Sequence, residues 1–488
     1  MSLPPSASTR VHGLLRAPAT PYVAVFLVFL LGRVLLLIGG EVFTARDTYV
    51  YAYREDPAFN MGPLVSFVGN APRPWGLPLF YAIFPDDQWR AAGQWAFATF
   101  AWTLLAVELA RHMRTRLAGV GMFAAVLLLA LMANVASWDF AILTESMSTS
   151  IGVVVFALLL RWLRTGSTLW LALMTVAAVW WTFIRPDIRV FIAVLIVILG
   201  WFAWRAWRGR TASPDTHWRR AVGGALVAGL VLTLGIAWYS AITPRMMETF
   251  RPYDGDAIPE SPLKPDEQLY VFRLRIDAAY EDQMWSAFKT KLGMPTCAEL
   301  DEIRKTPDWR SVEWARAYTR CPDLVAWVQE QPKGALFWSR LATEDPGLFA
   351  RKFTELVSLT LGGEAIARVP QVVPAPVENL AFPSRRYGLA VVVLGLAVAL
   401  TAALVAGAHR THRRLFVAAM ALAIVAVGSA VATVVMHSGE YARFGVQETL
   451  ATRISMIMLL ACALDAWWAR RRGAERHSAR STESAANG

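Results

Sequence analysis

Cysteine and charge are both scarce in this chain. It has three cysteines among 488 residues, and charged residues make up only 17%. Three cysteines are too few for a scaffold held together by disulfides. With 56% hydrophobic residues, a soluble protein would expose large apolar patches, so the composition indicates an integral membrane protein.

The sequence also lacks the short motifs of several familiar reactions. It has no Walker A motif and no dinucleotide-binding glycine-rich turn between a strand and a helix. It has no His-Glu-x-x-His, no paired Cys-x-x-Cys and no Gly-x-Ser-x-Gly elbow. These absences argue against ATP hydrolysis, zinc proteolysis and serine hydrolysis.

The net charge of +11 does not indicate a nucleic-acid partner. The basic residues fall in short blocks between apolar segments, a pattern typical of the loops that orient membrane helices. We therefore expect the chain to interact with a lipid bilayer and not with nucleic acid.

Apolar segments long enough to span a bilayer recur about ten times, in windows of about nineteen residues. They fall at 21–40, 91–110, 118–135, 147–163, 168–184, 188–207, 221–242, 387–408, 415–436 and 449–468. The predicted fold class is therefore an all-α polytopic membrane protein with a large extracytoplasmic loop.

The loops between these segments alternate in charge. Every second loop is rich in arginine and histidine and nearly free of acidic residues. By the positive-inside rule these loops are cytoplasmic, which places both termini in the cytoplasm. The other loops, 41–90, 136–146, 185–187, 243–386 and 437–448, then lie on the outer side.

This topology predicts four parts of the chain. They are a transmembrane core at 1–242 that includes the first outer loop at 41–90, an extracytoplasmic loop domain at 243–386, C-terminal transmembrane helices at 387–470, and a disordered cytoplasmic tail at 471–488. Cys297 and Cys321 both lie in the long outer loop, where oxidising conditions would allow a disulfide but do not require one.

Ionisable residues are concentrated in four outer stretches at the ends of predicted helices. Asp47, just after the first span, is the carboxylate that we expect to do chemistry, although a solvated loop charge or a cap is the alternative. Charges at a membrane boundary are often only interfacial anchors, but acids paired with arginines on one side also suit a charged substrate at the bilayer surface. The other candidates are Tyr51, Arg73, Asp139, Glu145, Arg185, Asp187, Arg189, Glu440 and Arg443.

The outer arginines have two interpretations. Arg185 and Arg189 are four positions apart across a predicted helix start, which would place them on one helix face. Guanidinium groups bind phosphate bidentately, so the pair could clamp an anion. The alternative is a pair of side chains that snorkel to the interface, and Arg443 has the same two interpretations.

Arg33 differs from these because it lies inside the first span. A charge near the bilayer centre costs a few kcal/mol, so we expect a partner or a polar cavity. Asp139 and Glu145 are the candidate partners, and a purely structural pair between two helices is the alternative to a role in the site.

Several stretches together resemble the GT-C superfamily of polytopic glycosyltransferases. A large outer loop with an acidic residue follows the first span at 46–49 (Arg-Asp-Thr-Tyr), and the loop ends at 73–80 (Arg-Pro-Trp-Gly-Leu-Pro-Leu-Phe). The segments 138–146, with Trp-Asp and Thr-Glu-Ser, and 440–443, with Glu-Tyr-Ala-Arg, are similar to those of bacterial members. The acidic pair usual in the first loop of the family is missing at Arg46 and Asp47, so Glu41 and Asp56 stay alternatives for the base.

The resemblance implies an inverting glycosyltransferase of the bacterial plasma membrane that takes its sugar from a polyprenyl-phosphate donor. It implies that Asp47 accepts the proton of the acceptor hydroxyl. Arg185 and Arg189, with Arg443 or Arg73, would hold the departing lipid phosphate. The acceptor would be an extracytoplasmic glycan, lipid or protein, and some members but not others use a divalent cation. The implied supporting residues are Arg33, Tyr51, Asp139, Glu145, Asp187 and Glu440.

Two other functions stay open at this point. A transporter or flippase of an anionic lipid-linked sugar favours ionisable residues at mid-membrane, whereas here only Arg33 is deep. A non-catalytic envelope assembly or sensor protein would tolerate the loss of Asp47, and an enzyme would not.

Overall fold

A computed structural model describes most of the chain as helices. The described residues are 19–45, 48, 75–185, 188–208, 216–248, 263–264, 267, 270–271, 273–304, 320–332, 336–436 and 439–486. Within these ranges the fold is all-α, with one isolated parallel bridge between Phe43 and Ala141 and no strand.

The N-terminal half contributes nine helices among the described residues. They are α1 (Thr20–Gly39), α2 (Gly76–Tyr81), α3 (Asp87–Ala110), α4 (Arg116–Leu131), α5 (Ala133–Ala136), α6 (Thr144–Thr165), α7 (Thr168–Thr182), α8 (Arg189–Arg208) and α9 (Thr216–Glu248). A 3-10 turn at Ser137–Phe140 follows α5.

The remaining helices begin in the predicted outer loop. They are α10 (Asp282–Thr290), α11 (Ala298–Ile303), α12 (Pro322–Gln329), α13 (Phe337–Glu344), α14 (Pro346–Gly362), α15 (Ala375–Ala381), α16 (Gly388–Val405), α17 (Ala408–Thr411), α18 (Arg413–Met436), α19 (Tyr441–Phe444) and α20 (Val446–Ala486). A π-helix at Leu274–Ala278 precedes α10, and a 3-10 turn at Arg385–Tyr387 precedes α16. The sequence predicts a disordered tail at 471–488, but α20 continues through 471–486. Alanine, glutamate and arginine in this stretch favour helix.

Six described helices are long and apolar enough to cross a membrane, which supports the prediction of a membrane protein. They are α1, α6, α16, α18 and the apolar parts of α9 and α20. Helix α4 and the following piece to Phe140 are bent by 62° and would make a seventh span if counted together. Helices α7 and α8 are apolar but shorter, so the count of ten spans stays a prediction.

Helices α6 and α20 form the centre of the bundle. Most residues of both apolar segments are buried, and α3, α4, α7 and α18 pack around them. Helix α6 ends at Gly166, whose left-handed φ of +67° allows the chain to turn away from the helix axis.

Described residues of the loops meet in two groups at different ends of the bundle. At one end Phe43 N–H donates to the Phe140 carbonyl, and the Trp138 indole donates to the Glu364 carbonyl. At the other end the backbone amides of Arg114 and Thr115 donate to the Asp465 carboxylate. Loops that the charge alternation assigns to the same side therefore meet at the same end.

The predicted outer loop has a hydrophobic cluster of its own. Tyr270, Trp285, Phe288, Trp327 and Phe337 are buried there. A disulfide joins Cys297 and Cys321, as the sequence analysis allows. Helix α14 connects this cluster to the bundle because it packs against α16, α18 and α19.

Close packing at Gly445 gives a test of this connection. A Cβ added at Gly445 would lie 2.0 Å from the Thr360 carbonyl oxygen of α14, whereas one at Gly428 in α18 would meet nothing within 4 Å. We expect Gly445→Ala to destabilise the protein by about 1–3 kcal/mol, the usual effect of overpacking. Gly428→Ala should leave stability unchanged or slightly raised. Thermal unfolding in detergent measures both, and equal melting temperatures for the two variants would contradict this packing.

Candidate active site

A buried carboxylate, Glu145, lies between two guanidinium groups. Arg443 donates from Nε to Glu145 Oε1 at 2.7 Å, and Arg185 Nη1 lies 3.4 Å from the same oxygen. The side chains of all three residues are almost completely shielded from solvent. Burying charges at this density is stable only when they are paired, so the three residues form one electrostatic unit.

Three helix ends bring these residues together. Glu145 is in the first turn of α6, Arg185 follows the C-terminal turn of α7, and Arg443 is in the short helix α19 that precedes α20. The ring of Phe444 lies beside both cations, with its centroid 5.6 Å from Cζ of Arg185 and 5.7 Å from Cζ of Arg443. An aromatic face at this distance attracts guanidinium groups and keeps the two arginines adjacent.

A second polar contact lies one helical turn further along the same three segments. Ser148 Oγ accepts a hydrogen bond from the Trp181 indole at 2.8 Å and another from the Gln447 amide. Trp181 and Gln447 are four positions from Arg185 and Arg443, and Ser148 is three positions from Glu145. The cluster is therefore continued into the bundle by neutral hydrogen bonds.

An apolar groove begins where these polar contacts end. Its volume is about 410 Å³, and it runs between α6, α8, α18 and α20. Thr149, Trp181 and Gln447 line its near end. The rest of its wall is almost entirely hydrophobic and includes Phe156, Leu159, Phe191, Phe202, Val425 and Ile454.

A second buried ion pair supports the segment that leads to Glu145. Arg33 Nη2 donates to Asp139 Oδ2 at 2.6 Å and to the Trp95 carbonyl at 2.9 Å, and Arg33 Nε donates to Thr99 Oγ1 at 2.9 Å. Asp139 is thus the partner of Arg33, as the sequence analysis expects for one of two acids. The pair joins α1 to the 3-10 turn beside the site.

Two buried polar residues that the sequence analysis does not single out hold the same segment. Gln94 donates through Nε2 to the carbonyls of Asp139 and Ala141 at 3.1 and 3.0 Å. Tyr81 donates to Gln94 Oε1 at 2.7 Å. A glutamine within the mostly apolar stretch 91–107 of α3 is the signal that could have identified Gln94, since a buried amide requires partners.

The turn before Arg443 adopts a strained backbone. Gly439 has φ of +68° and Glu440 has φ of +44°, a left-handed conformation that non-glycine residues rarely adopt. Glu440 Oε2 accepts from Arg443 Nη1 at 3.0 Å. Strain of this kind persists only where neighbouring contacts impose it.

Asp277 supplies such a contact from the predicted outer loop. Its Oδ1 accepts a hydrogen bond from the Tyr441 hydroxyl at 2.8 Å, although the two residues are 164 positions apart. Burial raises the pKa of Asp277 to about 6, while the Tyr441 hydrogen bond and the charge of Arg273 oppose that rise. Asp277 therefore fixes the helix that carries Arg443 without touching Glu145.

The other predicted site residues have different positions. Asp47, Tyr51, Arg73 and Asp187 lie outside the described residues. Thr48, next to Asp47 in the chain, is buried and donates from Oγ1 to the Ile142 carbonyl at 2.9 Å. The chain thus passes close to the segment that carries Glu145.

The arginines that pair with Glu145 in the described part of the chain are Arg185 and Arg443, and not Arg189. Helix α8 begins at Arg189, so Arg185 precedes the helix and the inference of a shared helix face does not apply. The Cζ atom of Arg189 lies 5.2 Å from the centroid of the Tyr239 ring on α9.

Metal binding receives no support from the described residues, where no three His, Cys, Asp or Glu side chains are grouped closely enough to hold an ion.

Comparison with family models, with curated proteins and with solved structures finds no match to this chain.

The Arg33–Asp139 pair can be tested by removing one or both charges. Arg33→Met alone should destabilise the protein by about 3–5 kcal/mol, because it leaves a buried carboxylate uncompensated. The double variant Arg33→Met/Asp139→Leu should recover most of this loss, since an apolar pair fills the same space. Thermal unfolding in detergent measures both, and a double variant no more stable than the single one would show that the ion pair is not the stabilising contact.

Asp277 should give the protein a pH-dependent stability. Its folded-state pKa of about 6 lies above the ordinary value of 3.8, so its contribution is fully present below about pH 4 and is lost as the pH rises through 6. Asp277→Asn stays neutral, and its stability relative to the native protein should increase by about 1–3 kcal/mol between pH 5 and pH 8. The measurement is the melting temperature at each pH, with the exposed Asp323→Asn as control. Parallel curves for Asp277→Asn and the native protein would contradict the shift.

Proposed function

We propose that this protein is an integral membrane glycosyltransferase of the GT-C type that moves a sugar from a polyprenyl-phosphate donor to an extracytoplasmic acceptor. The supporting observation is that Glu145, Arg185 and Arg443 form a buried cluster about one helical turn from Thr149, Trp181 and Gln447. Those three residues line one end of the apolar groove. The proposal includes ten spans in a bacterial plasma membrane, with both termini in the cytoplasm and a folded outer domain at 243–386.

The groove has the chemistry and length of a lipid-chain site. On α6 it extends from Thr149 to Leu163, which at 1.5 Å per residue corresponds to about 21 Å. An isoprenoid chain has no polar groups, so the hydrophobic wall that follows the near end suits it. With the chain in the groove, its phosphate would lie at the near end, beside Thr149 and Gln447.

The near end has the charge that a lipid phosphate requires. Arg185 and Arg443 can bind phosphate oxygens bidentately, and the N-termini of α6 and α20 add positive potential at the same place. Glu145 would hold both guanidinium groups in position before the donor binds. Because the cations are already oriented, they need little rearrangement as charge develops on the leaving phosphate.

The reaction is an inverting displacement. The acceptor hydroxyl attacks the anomeric carbon, the bond from that carbon to the phosphate oxygen breaks, and the lipid phosphate leaves with the electron pair. Asp47 takes the hydroxyl proton in our proposal. The anchoring of Thr48 to Ile142 supports this choice, whereas the alternative base Glu41 is mostly exposed and pairs with Arg368 at 3.6 Å.

The carboxylates present at the site, Glu145 and Glu440, are both bonded to Arg443. Their oxygens therefore serve guanidinium groups in this arrangement.

A transporter of the same lipid would share the groove but would need no base, so the role of Asp47 separates the two functions.

The proposal is tested by separating donor binding from transfer. Arg185→Gln and Arg443→Gln should each weaken binding of undecaprenyl phosphate at least tenfold, because a charge-assisted hydrogen bond contributes about 1.5–3 kcal/mol. Asp47→Asn should bind normally and lower sugar transfer from a panel of radiolabelled undecaprenyl-phosphate sugars by about 100-fold or more. Native mass spectrometry of the purified protein measures binding, and incorporation of label into membrane fractions measures transfer.

Arg368→Gln is the matched control, since Arg368 is 84% exposed at the same end of the bundle. Equal binding losses in Arg368→Gln and Arg443→Gln would reduce the effect to general surface charge. Full transfer by Asp47→Asn would remove that residue from the mechanism. Normal donor binding by both Arg185→Gln and Arg443→Gln would contradict the assignment of these arginines to the donor phosphate.

A further inference from the structure

The far end of the groove carries a second pair of cations. Arg413 and Arg414, at the start of α18, both line the groove together with Leu163 and Phe202. Arg414 Nη1 donates to the Leu163 carbonyl at 2.9 Å, which places its guanidinium at the rim formed by α6. The groove is thus apolar along its length and cationic at its end opposite to Glu145.

The acidic residues near this end are already bonded elsewhere. Glu108 is fully buried and lies within 3.0–3.4 Å of three other arginines, Arg111, Arg161 and Arg164. Asp465 accepts from the backbone amides of Arg114 and Thr115 and contacts His412. Among the described residues, no carboxylate forms an ion pair with Arg413 or Arg414.

We propose that Arg413 and Arg414 bind the phosphate of an anionic phospholipid whose acyl chain enters the far part of the groove. The two exposed guanidinium groups supply the charge complementarity. The chain would contact Trp201, Val417 and Ala418, which line the groove between the arginines and its middle. A phospholipid is the occupant favoured here, because the two arginines suit its phosphate and the apolar wall of the groove suits its acyl chain.

Position in the groove distinguishes these arginines from ordinary membrane-flanking residues. Basic residues that flank a span attract anionic lipids generally, whether or not they border a cavity. Arg410 and Arg472 are exposed at the same end of the bundle, but neither lines the groove. This difference provides a control with the same change in net charge.

The experiment compares bound lipids on the full-length protein. Purified protein is exchanged into equal mixtures of phosphatidylglycerol and phosphatidylcholine, and native mass spectrometry counts the retained lipids. The native protein should prefer phosphatidylglycerol, and Arg413→Gln/Arg414→Gln should lose about tenfold or more of that preference. Arg410→Gln/Arg472→Gln should keep it. Equal losses in both double variants would overturn the proposal in favour of general surface attraction.

A second measurement places the acyl chain. Phosphatidylglycerol with a photoreactive group in one acyl chain should label residues 191–202 and 417–425, which include the walls of the groove on α8 and α18. The label should disappear in Arg413→Gln/Arg414→Gln. Labelling only on helices outside the groove would overturn the proposal. Neither readout involves sugar transfer or a polyprenyl donor, so this proposal and the function proposed above can fail separately although both place a lipid chain in the same groove.

Discussion

The pairing of Glu145 with Arg185 and Arg443 is the constraint on which the rest of the site depends. A buried carboxylate or guanidinium without a partner costs several kcal/mol, so none of the three could remain in place alone. They come from the ends of three helical segments, and their pairing fixes where α6, α7 and α19 meet. The surrounding contacts of Phe444 and Ser148 depend on that meeting point.

Support for this unit comes from distant parts of the chain. The Arg33–Asp139 pair and Gln94 hold the segment before Glu145. Asp277, from a separate hydrophobic cluster, holds the helix that carries Arg443. The predicted outer loop is therefore part of the architecture of the site, because it imposes the strained turn at Glu440. A residue in that loop can affect the site without contacting a substrate.

The helical class and the segregation of loops could be predicted because hydropathy and charge alternation act over short stretches. A partner for Arg33 can be predicted for a similar reason, since a lone charge in an apolar span requires one, but the sequence does not choose between Asp139 and Glu145. The contact between Glu145 and Arg443 joins residues 298 positions apart, and no local pattern encodes such a distance. The spacing of Arg185 and Arg189 predicts a shared face only if the helix begins near Arg185, whereas α8 begins at Arg189. Ser148 and Gln447 resemble ordinary polar residues until folding places them together.

The groove is open to the side of the bundle. Trp201 and Val417, which line it, are 49% and 48% exposed. A molecule can therefore move into it laterally from the hydrocarbon phase without crossing an aqueous interface. The concentration that governs occupancy is then a mole fraction among the membrane lipids, and the competitor is the neighbouring acyl chain instead of water.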